Sequence, residues 1–323
     1  MAEINIKILT FGGASQDVFL SGKAIHAKRD VRNADYVEQF PLGDKIEVEE
    51  VTFDTGGGAT NAAVTFGRQG FEVGFVGKVG HDPAGLEVVR ALGRENILTN
   101  RVVVDARLNT QYSTILLTPK GERTILIYRG ASHDLKPGDI AIDRLEADWF
   151  YITSLAGNLD LLAKLLKYAH KRGILVAIDP GQDELRQAKK FKKLLPYIAV
   201  LKANAQELAE LFGGSTLRET VTLANGVCPY VVGTDGQNGS YALHNGKLYQ
   251  AGIYQKVKVV DRTGAGDAFG SGFVAAIAQG ETIETALSLG SANETGVVQK
   301  VGAKTGILTT GRVKQMKVKV HNL

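Results

Sequence analysis

Cysteine, long apolar runs and a signal sequence are scarce or missing in this chain. One cysteine, Cys228, occurs in 323 residues, which excludes an intramolecular disulfide and a cysteine metal cluster and favours a reducing compartment. Its apolar neighbours indicate a buried thiol rather than a nucleophile. No apolar run approaches the ~20 residues that span a bilayer, and the first residues lack the basic and apolar regions of a signal peptide. We therefore expect a soluble, cytoplasmic protein with no membrane partner.

The chain also has no large excess of charge of one sign. The 38 basic and 34 acidic residues leave a formal net charge of +4. The densest basic stretches, 189–193 and 312–319, do not alternate with aromatic residues as they would in a groove that binds nucleic acid. We interpret them as a solvated helix face and a charged edge strand, and we expect no nucleic-acid partner.

Glycine, in contrast, is abundant. The chain has 38 glycines, well above the usual share of about 7% of residues. The glycines follow no three-residue period and come with only 7 prolines, which excludes collagen, and a hydrophobic fraction of 44% excludes a disordered chain. The surplus must serve tight turns, left-handed backbone or close approach of the main chain to a ligand.

From residue 148 onward the hydrophobic pattern alternates between strands and helices. This alternation predicts a mostly parallel sheet with helices on both faces. The predicted strands are 149–152, 174–178, 199–202, 230–232 and 257–260, with a hairpin at 240–251. The predicted helices are 159–171, 205–212, 265–279 and 282–296.

The first half of the chain is less regular. It begins with predicted strands 4–11 and 73–76 and predicted helices 59–68 and 83–94. Two further segments, 18–53 and 101–129, are predicted to be rich in β structure. In the first, charged and apolar residues alternate and there is no strong helix pattern. We expect the two segments to pair into a small separate sheet, with Lys120-Gly121 as a hairpin turn.

Phosphate-binding loops of two common kinds are absent. A P-loop needs Lys and then Ser or Thr after its second glycine, but Gly22-Lys23 is followed by Ala24. A dinucleotide-binding fingerprint needs a third glycine, but the glycines of 264–266 are followed by Phe269 at that place. These two nucleotide-binding classes are therefore excluded.

The strongest local pattern is 259–273, in which a strand leads through a glycine turn into a helix of small residues. The backbone N–H groups of Gly264, Ala265 and Gly266 would be unpaired donors at the start of this helix. Together with the helix dipole they would form an anion site. Asp267 lies in the first turn of the same helix.

A carboxylate beside an anion site is unfavourable for simple phosphate binding, because like charges repel. It suits an enzyme in which Asp267 meets a hydroxyl that attacks a phosphorus atom. The pattern therefore predicts phosphoryl transfer, which depends on positioning and on stabilisation of charge.

Several motifs, spread over residues 12–303, resemble those of the ribokinase-like (PfkB) carbohydrate kinases and occur in the order of that family. They are DRTGAGD at 261–267, GGGATNAA at 56–63 with GRQG at 67–70, NAQE at 204–207, TDGQNG at 234–239, and the segments 292–293 and 301–303. The resemblance implies a three-layer α/β sandwich with a mostly parallel central sheet and a small β-sheet lid. It implies one kinase domain over 1–323, with the lid formed by about 18–53 and 101–130.

The resemblance also implies transfer of the γ-phosphoryl of ATP to a primary hydroxyl of a sugar, with ATP and Mg²⁺ as cofactors. Asp267 would be the catalytic base, and Gly264, Ala265 and Gly266 would form the anion hole. Glu207 would hold Mg²⁺ through water. The residues implied for ATP binding are Asn204, Thr234, Gly236, Gly239 and Asn293.

On the acceptor side the resemblance implies Asp17, Gly57, Gly58 and Asn61. A carboxylate such as that of Asp17 accepts two hydroxyl hydrogen bonds at once, which suits a sugar. Arg129 ends a predicted lid strand near the expected acceptor. Its guanidinium would either pair with a carboxylate or phosphate of the substrate or face solvent.

Two residues depart from the family pattern. Arg262 stands where Thr or Ser is common, and it would either reach the ATP phosphates or face solvent. Asp235 stands where an apolar residue is common, which weakens the alignment of the nucleotide loop.

Alternatives stay open for the activity and the assembly. A nucleoside kinase of the same family would need a wider, more aromatic acceptor pocket, and Tyr112 and Tyr128 leave this open. A sensor of sugars or nucleotides would have no need of Asp267 as a base. Activation by a monovalent cation such as K⁺ is known in similar kinases. Exposed edges of the lid sheet would allow a homodimer.

Overall fold

Sixteen strands and nine α-helices lie in residues 6–29, 36–119, 122–311 and 313–322, which the computed structural model describes. The strands are β1 (Lys7–Phe11), β2 (Ser15–Ser21), β3 (Lys28–Arg29), β4 (Tyr36–Val37), β5 (Glu50–Gly56), β6 (Glu72–Gly80), β7 (Leu98–Asp105), β8 (Gln111–Leu117), β9 (Arg123–Tyr128), β10 (Trp149–Ile152), β11 (Leu175–Ile178), β12 (Val200–Asn204), β13 (Tyr230–Thr234), β14 (Ser240–His244), β15 (Lys247–Ala251) and β16 (Val318–Asn322). The α-helices are α1 (Gly58–Arg68), α2 (Pro83–Arg94), α3 (Leu159–Arg172), α4 (Gln182–Leu185), α5 (Ala188–Phe191), α6 (Ala205–Phe212), α7 (Leu217–Leu223), α8 (Ala265–Ala278) and α9 (Ile283–Val298).

The large sheet has the strand order β16-β15-β14-β13-β12-β11-β10-β1-β6-β7. The seven strands from β13 to β7 in this order pair in parallel, and β14, β15 and β16 are added in antiparallel pairs. The prediction of a mostly parallel central sheet in a three-layer sandwich is confirmed.

Successive residues of the central strands enter two different hydrophobic cores, because side chains alternate between the faces of a sheet. In β10, Trp149 and Tyr151 join one core, while Phe150 and Ile152 join the other. Helices α1, α2, α8 and α9 contribute to the first core, and α3, α6 and α7 to the second. Both faces of the parallel sheet are therefore covered by helices.

A second, four-stranded sheet has the order β5-β2-β8-β9. It uses parts of both segments in which the sequence predicted a small sheet. Residues 101–105 were expected in this sheet, but they belong to β7 at the edge of the large sheet. The alternating segment 44–51 is in a strand only from Glu50 onward. The predicted turn Lys120-Gly121 and the predicted start of the first strand at residue 4 lie outside the described residues.

The predicted strand at 257–260 is wrong. Strand β16 (Val318–Asn322) pairs with β15 instead and forms the edge of the large sheet. Val260 N–H donates to the carbonyl of Val298 at the end of α9, at 2.8 Å, so 257–260 runs beside a helix rather than in the sheet. The charged edge strand expected in the C-terminal basic stretch is present as β16.

Four parallel strands end at the same edge of the large sheet. β1 leads into Gly12 and Gly13, β10 into Thr153, β11 into Asp179, and β12 ends at Asn204. Loops at the carboxyl ends of parallel strands are where α/β folds bind ligands, so a site is expected at this edge. Of the helices in the described residues, none is long and apolar enough to cross a membrane.

Candidate active site

A cavity of about 390 Å³ opens at this edge of the sheet, between the large sheet and the small one. From the large sheet it is lined by residues at the ends of parallel strands, including Gly13, Thr153, Asp179 and Asn204. From the small sheet and the turn after it, the lining residues are Gln111, Arg123, Arg129, Ser132 and His133. The cavity therefore lies where the two sheets face each other.

The start of α8 forms one side of the cavity. Gly264, Ala265, Gly266 and Asp267 all line it. Gly264 precedes the helix with φ 75°, a left-handed conformation that glycine adopts without strain. Amide groups in the first turn of a helix have no carbonyl partner within the helix. The prediction of three unpaired donors is wrong for Ala265, whose N–H donates to the carbonyl of Arg262 at 3.3 Å, because the chain turns tightly just before α8. The turn still places the positive end of the helix dipole at the cavity.

Asp261 holds this turn in place. Its Oδ1 accepts hydrogen bonds from Thr263 N at 2.9 Å and from Thr263 Oγ1 at 2.8 Å, and its Oδ2 accepts one from Gly302 N at 3.1 Å. The Asp261 side chain is fully buried. The Asp261 carboxylate therefore connects Thr263, which precedes the glycine turn 264–266, to Gly302.

Asn61 orients Asp267 from the neighbouring helix α1. Asn61 Nδ2 donates to Asp267 Oδ2 at 2.8 Å. A Cβ on Gly58 would lie 3.1 Å from Asp267 Oδ1, so the start of α1 approaches the second carboxylate oxygen closely. Asp267 is held by one oxygen and exposes the other toward the cavity lined by Gly58.

Lys202 is a buried cation in the same cavity. Its Nζ donates to Asp179 Oδ2 at 2.8 Å. Burial disfavours the ammonium form, but the carboxylates of Asp179, Asp267 and Glu207 outweigh this and raise the pKa of Lys202. Burial raises the pKa of Asp179 to about 7, although Lys202 opposes that shift. Lys202 therefore places a positive charge beside the start of α8.

Asn204 and Glu207 form a capping box at the start of α6. Asn204 Oδ1 accepts from Glu207 N at 3.0 Å, and Glu207 Oε2 accepts from Asn204 N at 2.9 Å. These reciprocal bonds satisfy two otherwise unpaired amides at the helix start. The box also fixes both side chains at the rim of the cavity that they line.

A second cavity of about 210 Å³ adjoins the first. Arg262 and Ala265 line both cavities. The second cavity is lined mainly by apolar side chains, among them Ile253, Tyr254, Val257, Val259 and Val298. Gly236 and Glu294 also line it, and burial raises the pKa of Glu294 to about 7. A flat apolar group would fit here with a connected anionic group at the start of α8.

A model of the pfkB family carbohydrate kinases matches residues 26–310. The chain belongs to this family. The ribokinase of Bacillus subtilis is 26% identical over 270 residues, which cover 81% of this chain and 87% of the relative. The 5-dehydro-2-deoxygluconokinase of the same organism is also 26% identical, over 290 residues that cover 83% and 88%. As a member of this family the chain is a kinase, an enzyme that transfers a phosphoryl group to a hydroxyl.

Solved structures show the same fold. The ribokinase of Arabidopsis thaliana complexed with ribose and ATP has a TM-score of 0.77 and 24% identity, with 95% of this chain and 96% of that chain covered. The nucleoside kinase of Burkholderia thailandensis in complex with inosine has a TM-score of 0.74 and 17% identity, with 94% of each chain covered. Sugar kinases and nucleoside kinases therefore share this architecture with the chain.

The structure of this kinase brings most predicted site residues together. Those that line the first cavity are Gly57, Gly58, Arg129, Asn204, Glu207, Arg262, Gly264, Ala265, Gly266 and Asp267. Gly236 lines the second. Arg262 lines both cavities, and its side chain is exposed. The catalytic and binding roles of these residues stay predictions.

Other predicted residues line neither cavity. Thr234 and Gly239 flank the loop that holds Gly236. Asn293 is fully buried, and its Nδ2 donates to Thr65 Oγ1 at 3.1 Å and to the carbonyl of Ala268 at 2.8 Å. Asn293 therefore joins α9 to α1 and α8, while the next residue, Glu294, lines the second cavity.

Asp17, predicted as an acceptor ligand, is also away from the cavity. Its Oδ1 accepts from Ser15 Oγ at 2.8 Å, and the carboxylate packs against the backbone of Gly56. Burial raises the pKa of Asp17, with Ser15 and Lys304 opposing the shift. In this structure Asp17 packs against Gly56 and does not line the cavity.

The sequence analysis missed several residues of the cavity. Asp179 and Lys202 carry no motif of their own, but each lies at or near the carboxyl end of a predicted parallel strand. That position was the available signal. Arg123 begins β9 and His133 follows this strand, and only the assembled sheet shows that both line the same cavity.

Lys304 is a buried cation with a testable effect on stability. Its Nζ donates to the carbonyl of Thr55. Burial lowers the pKa of Lys304 from 10.5 to about 8, although Asp54 and Asp17 oppose the shift. The folded kinase therefore binds fewer protons than the unfolded chain between about pH 8 and 10.5, so its free energy of unfolding should rise with pH there.

Replacement of this lysine tests the inference. We expect Lys304→Met to lose that rise, which amounts to about 3 kcal/mol at roughly 1.4 kcal/mol per pH unit. Urea unfolding at several pH values from 7 to 10 measures it, with exposed Lys300→Met as the control. The same pH dependence in the wild type and in Lys304→Met would contradict the buried charge.

Proposed function

We propose that this kinase transfers the γ-phosphoryl of ATP to a hydroxyl of a sugar, with Asp267 as the general base. The observation that carries the proposal is the position of Asp267 in the first turn of α8, beside the N–H groups of Gly264–Gly266 and inside a cavity. A base and an anion site within one helical turn are the two parts that attack on a phosphoryl group needs.

In the proposed reaction, the carboxylate and the amides of this turn have separate functions. The acceptor hydroxyl donates its proton to the Asp267 oxygen near Gly58, while Asn61 holds the other oxygen. The oxygens of the transferred phosphoryl group receive hydrogen bonds from the amides at the start of α8. Lys202 and Arg262 add positive charge on the same side, which stabilises negative charge as it develops.

The second cavity supports ATP as the phosphoryl donor. Its apolar lining suits a base, and Arg262 and Ala265 connect it to the start of α8. Tyr254 and Val257 would hold the base, and the start of α8 at Gly264 would hold the phosphates. Gly236, from the predicted nucleotide loop, lines the same cavity and supports the proposal.

The donor set also fits Mg²⁺ that arrives with the nucleotide. In the described part of the chain, no three His, Cys, Asp or Glu side chains form a metal site by themselves. Mg²⁺ at ATP sites usually keeps several waters and takes one or two carboxylates plus phosphates. Glu207, with Asn204 beside it, would hold it through water at the rim of the cavity, where it would neutralise phosphate charge. Activation by K⁺ stays a prediction.

The acceptor side favours a sugar over a nucleoside. Tyr112 and Tyr128 pair across β8 and β9, but neither lines the first cavity. The small-sheet residues that do line it are polar or charged. A nucleoside would need an apolar, aromatic surface for its base, whereas a sugar needs hydrogen-bonding groups.

A screen for ADP formation over sugars, sugar derivatives and nucleosides tests the proposed function. We expect acceptor-dependent ADP formation with a sugar-class compound and none with adenosine, inosine or guanosine. Turnover of nucleosides alone would support the nucleoside kinase. Tight binding of ATP and of a sugar without turnover of any acceptor would support a sensor and contradict the kinase proposal.

Asn61 should act as a positioning residue for Asp267. Asn61→Ala removes the 2.8 Å hydrogen bond to the carboxylate, so we expect kcat to fall about 10- to 100-fold, a partial loss compared with that of the base itself. KM for ATP should stay within a few-fold of the wild type. Steady-state kinetics with the substrate found in the screen measure both, and an unchanged kcat would contradict this role.

The small sheet has an exposed edge that we propose pairs with a second copy of the chain. Strand β9 is at the edge of the sheet, and its residues Ile125, Leu126, Ile127 and Tyr128 are 42–59% exposed. An exposed apolar edge strand readily pairs with another strand. We expect light scattering to show a dimer and Leu126→Lys to shift it toward monomer. A wild type that is monomeric at micromolar concentration would contradict the dimer.

A further inference from the structure

The acceptor end of the cavity, formed by Gly13, Gly57, Gln111, Arg129 and His133, faces a second arginine, Arg123. We propose that the acceptor is an anionic sugar, with a phosphate or carboxylate group that Arg129 binds, while Arg123, about 20 Å away along β9, adds positive charge to the same cavity. This inference rests on the proposed function, because it assigns the acceptor of the same site. Sequence similarity does not select the acceptor, since a ribokinase and a deoxygluconokinase match equally well.

The two arginines are on one face of the small sheet. Arg123 begins β9, and Arg129 follows the end of this strand six residues later. Side chains two, four or six residues apart in a strand point to the same face. Tyr128 pairs with Tyr112 in the antiparallel ladder, so Arg129 comes opposite Gln111, which lines the same cavity.

A continuous surface of small residues connects Arg129 to the base. A Cβ on Gly58 would lie 3.1 Å from Asp267 Oδ1, and one on Gly13 would lie 4.0 Å from both Gly57 Cα and Gln111 Oε1. The surface from Asp267 to Gln111 therefore carries no bulky side chain at Gly58, Gly57 or Gly13. A sugar can lie along it with its reacting hydroxyl at Asp267 and its far end at Arg129.

Neither arginine at this end of the cavity forms an ion pair with a described residue. Within the described residues, the arginines in ion pairs are Arg68, Arg94 and Arg186, and neither Arg123 nor Arg129 is among them. The carboxylates that line the cavity belong to the side of the large sheet. A substrate anion would supply the missing partner, and a guanidinium binds carboxylate or phosphate through two parallel hydrogen bonds.

His133 supports Arg129 in a fixed direction. Arg129 Nη1 and His133 Nε2 are 2.9 Å apart. Because a guanidinium has no acceptor atom, Arg129 donates and His133 accepts through an unprotonated nitrogen. Burial and the nearby charge of Arg129 lower the pKa of His133, which keeps the ring neutral. The remaining N–H groups of Arg129 stay available to a ligand.

These arginines are separate from the groups assigned to ATP. The start of α8 and Arg262 face the transferred phosphate, and they connect to the second cavity. Arg123 and Arg129 come from the small sheet, together with Gln111 on the neighbouring strand. The cavity thus has two positively charged ends, one for the donor and one for the acceptor.

Matched pairs of acceptors test the proposal. ADP formation is measured with D-fructose against D-fructose 1-phosphate and with D-glucose against D-gluconate, so the phosphate and carboxylate sources are distinguished. Thermal shifts with the same four compounds, without ATP, report binding independently of turnover. We expect one charged compound to stabilise the protein and to exceed its neutral counterpart in kcat/KM by at least about 100-fold.

Variants assign the effect to the two arginines. Arg129→Gln should raise KM for the charged acceptor about 10- to 100-fold, and Arg123→Gln should raise it less, with KM for ATP unchanged in both. The exposed Arg218→Gln is the charge-matched control and should alter neither. Binding of the charged compound without turnover would support the anion site while counting against the kinase. Equal use of charged and neutral acceptors, or KM unchanged in both arginine variants, would overturn the anionic acceptor and leave the kinase intact.

Discussion

Asp267→Asn should lower kcat about 10²- to 10⁴-fold, the usual contribution of a general base, while KM for ATP changes little. The amide has nearly the shape of the carboxylate, and its oxygen still accepts the hydrogen bond that Asn61 Nδ2 donates to the Asp267 side chain. What the variant loses is an atom that takes a proton from the acceptor hydroxyl. The free energy of unfolding should therefore stay close to that of the wild type.

Asp160→Asn is the matched control for the base. Asp160 also lies in the first turn of a helix, α3, but it is exposed and away from the cavity. Removal of its charge tests the dipole contribution of such a carboxylate, about 0.3–1 kcal/mol, without the chemistry. Near-normal kcat for Asp267→Asn with a confirmed acceptor would rule out Asp267 as the base.

Some helices were predictable because their ends carry local signals, whereas α4, α5 and α7 were not predicted. α2 begins at Pro83 after Asp82, whose Oδ1 accepts from Gly85 N at 2.8 Å. α6 begins after Asn204, which forms a capping box with Glu207. Caps and first-turn prolines act within a few residues, so the sequence predicts the bounds of Pro83–Arg94 and Ala205–Phe212 as the structure has them.

The strands were harder to predict where pairing decides them. The apolar segment 257–260 has the composition of a strand, but β16 occupies the free edge of β15. Residues 101–105 have the alternation of an exposed sheet, but they extend β7 beside β6. Both outcomes depend on which partner strand is nearby in space, and no local pattern states that.

The site shows the same division between local and distant information. The candidate anion-binding turn and Asp267 lie in one short segment, so the sequence alone predicts their chemistry. The contact between Asn61 and Asp267 joins residues 206 positions apart, and Arg123 reaches the cavity only through the pairing of β8 with β9. Motifs find the candidate catalytic residues, whereas the candidate acceptor residues come together only in the assembled sheets.

Gly264→Ala should impair activity and stability together. Gly264 has φ 75°, and an alanine in this left-handed region costs about 1–2 kcal/mol. The new Cβ would also lie 2.5 Å from Cβ of Ala303, so either the turn or the segment around Gly302 must shift, at a further cost of about 1–3 kcal/mol. Both segments are tied to Asp261, so the shift misplaces the amides of the anion site.

The expected loss in kcat is about 10²- to 10³-fold, as for removal of one donor from an oxyanion hole. Gly173→Ala separates strain from displacement, because Gly173 has φ 72° and no heavy atom within 4 Å of an added Cβ. It should cost stability alone and leave kcat unchanged. Urea unfolding and initial rates measure the two effects in each variant. If Gly264→Ala lost no more activity than Gly173→Ala, the amides at the start of α8 would not be the groups that stabilise the transferred phosphoryl.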